Sequence, residues 1–431
     1  LTGLVFGLIP ALNASRPTAS EALQSGGTRT TGGRRQRTLR SVLVVTEVAL
    51  SLALLTTAVL LTRSFNKLQN QPTGFNSNSV LTARFTLPDY AYAEDHQRLN
   101  FVDRLERELR ALPGVESVGL ASIAPFGYSN SQGTYRIAGY TPPEGVSAPH
   151  GQLRTVTPGF FQSLQIPLLR GRGFNESDSA ESEAVVIIDQ VLADRYFPGE
   201  DPIGRQIYRG SDEATPENVR TIVGVIPAIK QYGLDDPTNK ETIYYPFAQR
   251  PVTGLTLTLR TQVPPSSLIE AVRRTVLGID TELPLYQIRT LSDRIDSSLQ
   301  GQRTPMYLLG LFGGMALLLA GLGVYGALAF SVGQRTQEMG IRMALGADAR
   351  NVLGLVLRQG LWLVGIGAAV GLLGYLAVSR LLSHLLFEVK PNDTLSFVVA
   401  LLTLLSIAGI ACYLPARRAT KIDPMVALRD E

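Results

Sequence analysis

The sequence predicts a membrane α-helical four-span bundle that carries one large α+β domain outside the cytoplasm. Three observations predict it. Four apolar runs, at 41–63, 305–332, 351–383 and 394–414, each reach the length of about 20 residues that a bilayer core requires. Between the first two lies a stretch, 64–304, with the composition of an ordinary soluble domain. The short flanks of the runs alternate in Lys and Arg content, as flanks on opposite sides of a membrane do. The averages agree: 431 residues are too many for one core, only 18% are charged, and mean hydropathy is +0.12. That balance excludes a wholly soluble enzyme, a disordered chain and a fibrous one.

Taken in order, residues 1–10 are apolar but lack a charged leader and a small-residue cleavage site, so they read as the end of something longer. An internal echo fits. Pro10-Ala11-Leu12-Asn13-Ala14-Ser15-Arg16, with Ala22-Leu23, resembles Pro415-Ala416-Arg417-Arg418-Ala419-Thr420-Lys421, with Ala427-Leu428, every matching pair being offset by 405. Self-similarity of this kind predicts a duplicated unit, with 1–10 closing the last span of a preceding copy and 11–40 linking it to this one. The linker carries Arg16, Arg29, Arg34, Arg35, Arg37 and Arg40 against one acid, Glu21, and faces the cytoplasm. The first span, 41–63, holds one internal charge, Glu47.

The outward domain, 64–304, begins with a strand-like run at 79–87 and an amphipathic helix over 94–112, where Leu99, Val102, Leu105 and Leu109 recur at helical spacing. Pro113-Gly114 ends that helix before a strand at 115–122. Near the far edge come a strand at 255–261, a helix from Pro264-Pro265-Ser266 to about Gly278, and a strand at 285–288. These are two β-α-β units, one at each edge. Short Gly- and Pro-punctuated strands lie between them, with a helix around 189–196. An α/β subdomain built from both edges, with a β-rich subdomain inserted, is expected. The spans at 305–332, 351–383 and 394–414 follow. Arg335, Arg342 and Arg350 place 333–350 in the cytoplasm, as Arg417, Arg418, Lys421 and Arg429 do for the tail 415–431.

No catalytic constellation emerges. A phosphate-binding loop needs Gly-Lys before Ser or Thr, and none of Lys67, Lys230, Lys240, Lys390 and Lys421 follows a glycine. No ATP site, and no other cofactor, is therefore expected in this chain. His96, His150 and His384 are scattered and form no metal pair. Gly127-Tyr128-Ser129-Asn130-Ser131 lacks the closing glycine of a nucleophile elbow. The single cysteine, Cys412, lies in an apolar run, so no internal disulfide forms. Net charge is +4, and the Arg cluster at 34–40 suits a membrane edge better than nucleic acid.

Three features remain as functional candidates. Glu47 is an intramembrane carboxylate, costly enough to be functional by default; it suits either helix packing or an ion path. Gly310/Gly314 and Gly367/Gly371 allow close helix approach, within the bundle or at a dimer seam. The segment 334–350 predicts a short amphipathic helix along the cytoplasmic surface. Glu338 and Arg342 stand four apart in the favoured acid-first order, Met339, Ile341, Met343 and Leu345 form an apolar face, and Asp348 is placed to cap the next span. It suits an unpartnered interfacial helix or a docking lever for a cytoplasmic protein.

Glu338-Met339-Gly340-Ile341-Arg342-Met343-Ala344-Leu345-Gly346-Ala347 resembles the signature of FtsX-type ABC transporter permeases, including the MacB and lipoprotein-release branches. Met339 stands for the usual Ile and Met343 for a frequent Arg. Leu414-Pro415-Ala416-Arg417-Arg418-Ala419, with Asp423-Pro424 and Ala427-Leu428, resembles that family's ending. Leu112-Pro113-Gly114-Val115, Val156-Thr157-Pro158-Gly159-Phe160-Phe161, Leu169-Arg170-Gly171-Arg172, Asp201-Pro202-Ile203-Gly204 and Ile222-Val223-Gly224-Val225-Ile226 are similar to motifs of the MacB-type periplasmic core.

The resemblance implies a porter-like β-α-β subdomain with an inserted sabre-like one, in the periplasm of an inner-membrane protein. It implies a non-catalytic ABC transporter permease of the mechanotransmission type. A separate nucleotide-binding ATPase subunit would bind the ATP, and Glu338 to Ala347 would be the coupling element. It further implies a second permease half, either the preceding repeat or a homodimer mate, and a periplasmic adaptor. The echo also makes the chain similar to the duplicated, so-called orphan permeases of acidobacteria. That likeness leaves open a rival expectation, a membrane-anchored sensor or scaffold without an ATPase.

Overall fold

The computed structural model describes residues 32–127, 130–210, 215, 218–236, 240–334, 342, 348–381, 387, 389 and 393–420. These divide into two compact units: Asn66–Arg303, and a membrane unit of Leu1–Phe65 with Thr304–Glu431.

In the first unit, β1 (Val80–Thr86), α2 (Asp95–Arg110) and β2 (Val115–Ala121) form the leading β-α-β; α1 (Gly32–Gln69) precedes them. The closing one is β10 (Gly254–Thr261), α5 (Ile269–Ile279) and β11 (Tyr286–Thr290). The two interleave. Strand order is β11-β1-β10-β2 with every neighbour antiparallel, so each unit's own strands are parallel and separated by a strand of the other. This is the split β-α-β arrangement. Phe101, Val102, Leu105 and Leu109 of α2 and Val272 and Val276 of α5 share one buried cluster with Leu81, Phe85, Leu120, Leu257 and Leu259 of the sheet. The helical spacing read from 94–112 is that buried stripe. Helix α5 starts later than the sequence suggests. Pro264 and Pro265 lead a single tighter turn, Pro265–Leu268, before regular α-helix begins at Ile269.

The insertion is more ordered than a set of short strands. Strands β3 (Gln132–Ile137), β4 (His150–Val156), β6 (Val185–Asp189), β7 (Gln206–Arg209), β8 (Val219–Ile226) and β9 (Thr242–Pro246) pair in the cycle β4-β3-β7-β8-β6-β9-β4. A closed cycle has no free edge to protect. Its interior is a cluster to which all six strands contribute, among them Tyr135, Leu153, Ile188, Ile207, Ile222 and Ile243; Leu192 and Phe197, from α4 (Gln190–Tyr196) and its C-cap, join it. The barrel joins the outer sheet through one residue pair, Ala121 with Val156.

The similar-looking motifs are packing devices. Thr157 Oγ1 accepts from the Leu120 N–H at 2.9 Å and donates to Glu106 at 2.5 Å. A Cβ on Gly159, at the start of α3 (Gly159–Ser163), would lie 2.0 Å from the Val118 carbonyl oxygen, so only glycine lets this turn sit on β2. Gly171 of β5 (Arg170–Gly171), at φ +72°, pairs with Gly224 of β8, and a Cβ there would meet the Val223 carbonyl oxygen at 2.1 Å. Two separate motifs are thus halves of one contact.

The membrane unit contains four helices long and apolar enough to span: α1 (Gly32–Gln69), α7 (Gln300–Gln334), α8 (Ala349–Leu381) and α9 (Thr394–Ala419); α6 (Leu291–Ser298) precedes α7. Helices α1 and α7 are longer than the apolar runs within them, and both are unbroken across the ends of the unit in sequence. Inside the bundle Val48, Leu52, Val324, Val364, Leu404 and Cys412 belong to one aliphatic cluster.

Candidate functional site

The ten residues singled out for coupling, Glu338 to Ala347, lie outside the described residues except Arg342, which is helical and exposed. Asp348 directly precedes α8, and its backbone carbonyl accepts from the Asn351 N–H at 2.9 Å. What the structure describes is the framework that these residues adjoin: the end of α7 at Gln334 and the start of α8 at Ala349.

That framework is fastened at three levels. At the cytoplasmic end, the Arg40 guanidinium of α1 stacks on Phe330 of α7 at 3.8 Å, Arg418 of α9 donates to the Tyr325 hydroxyl of α7 at 2.8 Å, and Ser331 of α7 meets Gln359 of α8 at 3.4–3.5 Å. In the middle, Glu47 is half-buried against α7. A Cβ on Gly323 would lie 2.2 Å from a Glu47 carboxylate oxygen, so the missing side chain makes room for the carboxylate. Glu47 has no hydrogen-bonding or ionic partner among the described residues. The placement is a packing contact, and among the described residues no hydrogen bond leads on from it.

The glycine pairs separate. Gly367 and Gly371 of α8 press on α1: added Cβ atoms would meet Val48 at 2.6 Å and the Ala49 carbonyl oxygen at 2.8 Å. Gly310 and Gly314 of α7 face open space within the described residues, and Gly313 between them approaches Leu54 and Leu55 instead. At the outer end Arg63 of α1 forms an ion pair with Asp393, the N-cap of α9, and Ser64 accepts from the Phe387 N–H at 2.7 Å. Burial pushes the Asp393 carboxyl up, but hydrogen bonds from Ser396 and then Arg63 outweigh it and hold the group below its usual range. Sequence reasoning missed this clasp. Its signal was a base ending one span and an acid opening another on the same side of the membrane.

The family comparisons bear on the same framework. Residues 41–275 match the model of the MacB-like periplasmic core domain, and residues 310–424 match that of the FtsX-like permease C-terminal domain. The chain belongs to the MacB/FtsX-type permease family. It is 30% identical over 281 residues to the macrolide export ATP-binding/permease protein MacB of Azoarcus sp. (strain BH72), covering 62% of this chain and 40% of that one. It is 28% identical over 275 residues to the pyoverdine export ATP-binding/permease protein PvdT of Pseudomonas syringae pv. tomato, covering 62% and 40%. The chain thus spans about two fifths of the length of these curated relatives. Among solved structures, the periplasmic region of MacB from Actinobacillus actinomycetemcomitans matches 54% of this chain and 98% of its own at 14% identity and a TM-score of 0.35. As a MacB/FtsX-type permease, the protein is a multi-pass inner-membrane protein, and 66–303 is its periplasmic part.

Proposed function

We propose that this chain is the non-catalytic permease subunit of an ABC exporter working by mechanotransmission. A separate cytoplasmic ATPase binds the nucleotide, and its closure pushes the segment 338–347 between α7 and α8. The spans act as levers, and the periplasmic part changes shape to move cargo outside the bilayer. A second permease half completes the pair, and a periplasmic adaptor receives the load.

The observation that carries this reading is the aliphatic interior of the bundle, fastened near both membrane surfaces. Such a packed interior resists compression and passes displacement on, whereas a conduit needs a polar lining. The continuity of α1 and α7 beyond their apolar runs supports it, as do the export ATP-binding/permease names of the relatives. The test is co-reconstitution with the ATPase that co-purifies from native membranes. Glu338→Arg and Arg342→Glu, made separately, should each weaken stimulation of ATP hydrolysis while membrane insertion stays intact. Full stimulation in both variants removes the coupling role. Reproducible absence of any nucleotide-binding subunit favours the sensor or scaffold.

A further inference from the structure

The cytoplasmic end of the bundle has a notch where α1, α7 and α8 converge. Arg40, Ser41, Phe330, Ser331, Gln334 and Gln359 line it, and it holds about 40 Å³. Three facts about this notch point one way. First, the Arg40 guanidinium carbon sits over the Phe330 ring, 3.8 Å from its centroid, and no acceptor among the described residues takes its N–H groups. A cation held over a ring face keeps N–H groups for other acceptors.

Second, among the described residues no carboxylate pairs with it. Helices α7 and α8 contain no Asp or Glu, and α1 has only Glu47, about 10 Å further along the helix. Third, the remaining polar groups are weakly committed. Ser331 and Gln359 meet only at 3.4 and 3.5 Å, with both amide atoms in play, and the Ser41 hydroxyl and Gln334 amide add further donors. Donors of one cation and several neutral groups thus line a space that no carboxylate among the described residues borders.

We propose that this notch seats one phosphate group, supplied by an anionic lipid headgroup of the cytoplasmic leaflet. The volume admits phosphate oxygens but not a glycerol backbone, so the lipid stays in the leaflet with its headgroup bridging the three helices. Arg40 makes the charge-assisted contact, and Gln359, Ser331 and Ser41 complete the cradle. The flank carrying Arg34, Arg35, Arg37 and Arg40 draws anionic lipid to this edge. A headgroup seated there lies beside the last turn of α7 and nearly three turns into α8, the two helices that the segment proposed to receive the ATPase stroke joins in sequence.

The full chain in phosphatidylcholine nanodiscs doped with phosphatidylglycerol provides the test, with retained lipid counted by native mass spectrometry after detergent exchange. The expected result is one retained phosphatidylglycerol per chain. Its retention should fall about tenfold in Arg40→Gln, fall also in the charge-neutral Gln359→Leu, and stay unchanged in Arg358→Gln, whose side chain is exposed on the same helix as Gln359. Size-exclusion profiles matching the parent show that the variants are folded. Displacement of the lipid by inorganic phosphate assigns the seat to a soluble phosphate and overturns the headgroup as its source. Equal loss in Arg358→Gln reduces the seat to a diffuse basic belt, and undiminished retention in Arg40→Gln and Gln359→Leu removes it altogether.

Discussion

Replacing Arg154 by Met should loosen the periplasmic barrel by about 2–4 kcal/mol, and the figure follows from the contacts. Arg154 lies on β4 at 1% exposure. All five of its N–H groups have acceptors: Gln231 Oε1 at 3.3 Å, Ser131 O at 2.9 Å, Leu153 O at 3.0 Å, Gln152 Oε1 at 2.8 Å and the Tyr232 hydroxyl at 3.0 Å. None of these is a carboxylate, so the cation is held by neutral dipoles alone. Methionine fills the space but orphans the amide oxygens of Gln152 and Gln231, residues exposed by only 2% and 4%. Each orphaned oxygen costs about 1–3 kcal/mol, offset in part because no cation is desolvated any longer.

Ser131 O keeps its bond from the Leu153 N–H and adds little to the sum. Arg154→Lys should cost at least as much, because a more strongly hydrated ammonium brings three donors where five were used. Hydrogen exchange on the full chain in detergent reads both. Amides of 150–156 and 229–232 should exchange about thirty- to nine-hundredfold faster in Arg154→Met, the equivalent of that free energy. Parental exchange rates in these segments would refute the reasoning, since they require that water already satisfies the network.

Gly371→Ala should lower the thermal midpoint in detergent, costing about 1–3 kcal/mol, because its Cβ meets a backbone oxygen of α1 at 2.8 Å; Gly314→Ala, facing open space, should leave the midpoint unchanged. Burial pushes the Asp189 carboxyl up from its usual 3.8 to about 7, against the opposing hydrogen bonds from the Leu192 and Thr242 N–H groups. The folded state therefore holds this proton more tightly than the unfolded one. The stability so gained is complete below about pH 4 and is lost as pH rises through 7, so melts should soften across that window and Asp189→Asn should flatten the slope. A double-mutant cycle on Arg63 and Asp393 should return a coupling of only about 0.5–1 kcal/mol in thermal stability, since Arg63 remains 40% exposed.

The spans were legible because an apolar run of sufficient length is a one-segment signal that no distant residue has to complete. Helix α2 was legible for a similar reason: the Leu99, Val102, Leu105 and Leu109 stripe repeats at its own period. The barrel was not. Its closure rests on β4 lying parallel to β9 across a sequence gap that holds four other strands, and neither strand's own pattern names its partner. Arg154 reads locally as one charge in an alternating strand, and only the arrival of 131 and 231–232 turns it into a buried hub. The Gly367/Gly371 and Gly310/Gly314 pairs look alike in sequence. They differ only in which helix stands opposite, a tertiary fact. For Glu47, sequence flagged the residue and left its role open between packing and ion passage. Gly323, 276 positions and a whole domain away in sequence, supplied the packing contact.

The most direct measurement is the distance between a spin label at Glu144 and one at the corresponding site of the second permease half in the reconstituted complex, recorded by double electron–electron resonance with and without ATP. Glu144 is exposed in the periplasmic part, and the single native Cys412 is buried. The account predicts that the distance distribution shifts when the ATPase closes and returns after hydrolysis, and that Arg342→Glu abolishes the shift while ATP still binds. A distribution indifferent to nucleotide, in a complex that hydrolyses ATP and exports, would contradict it.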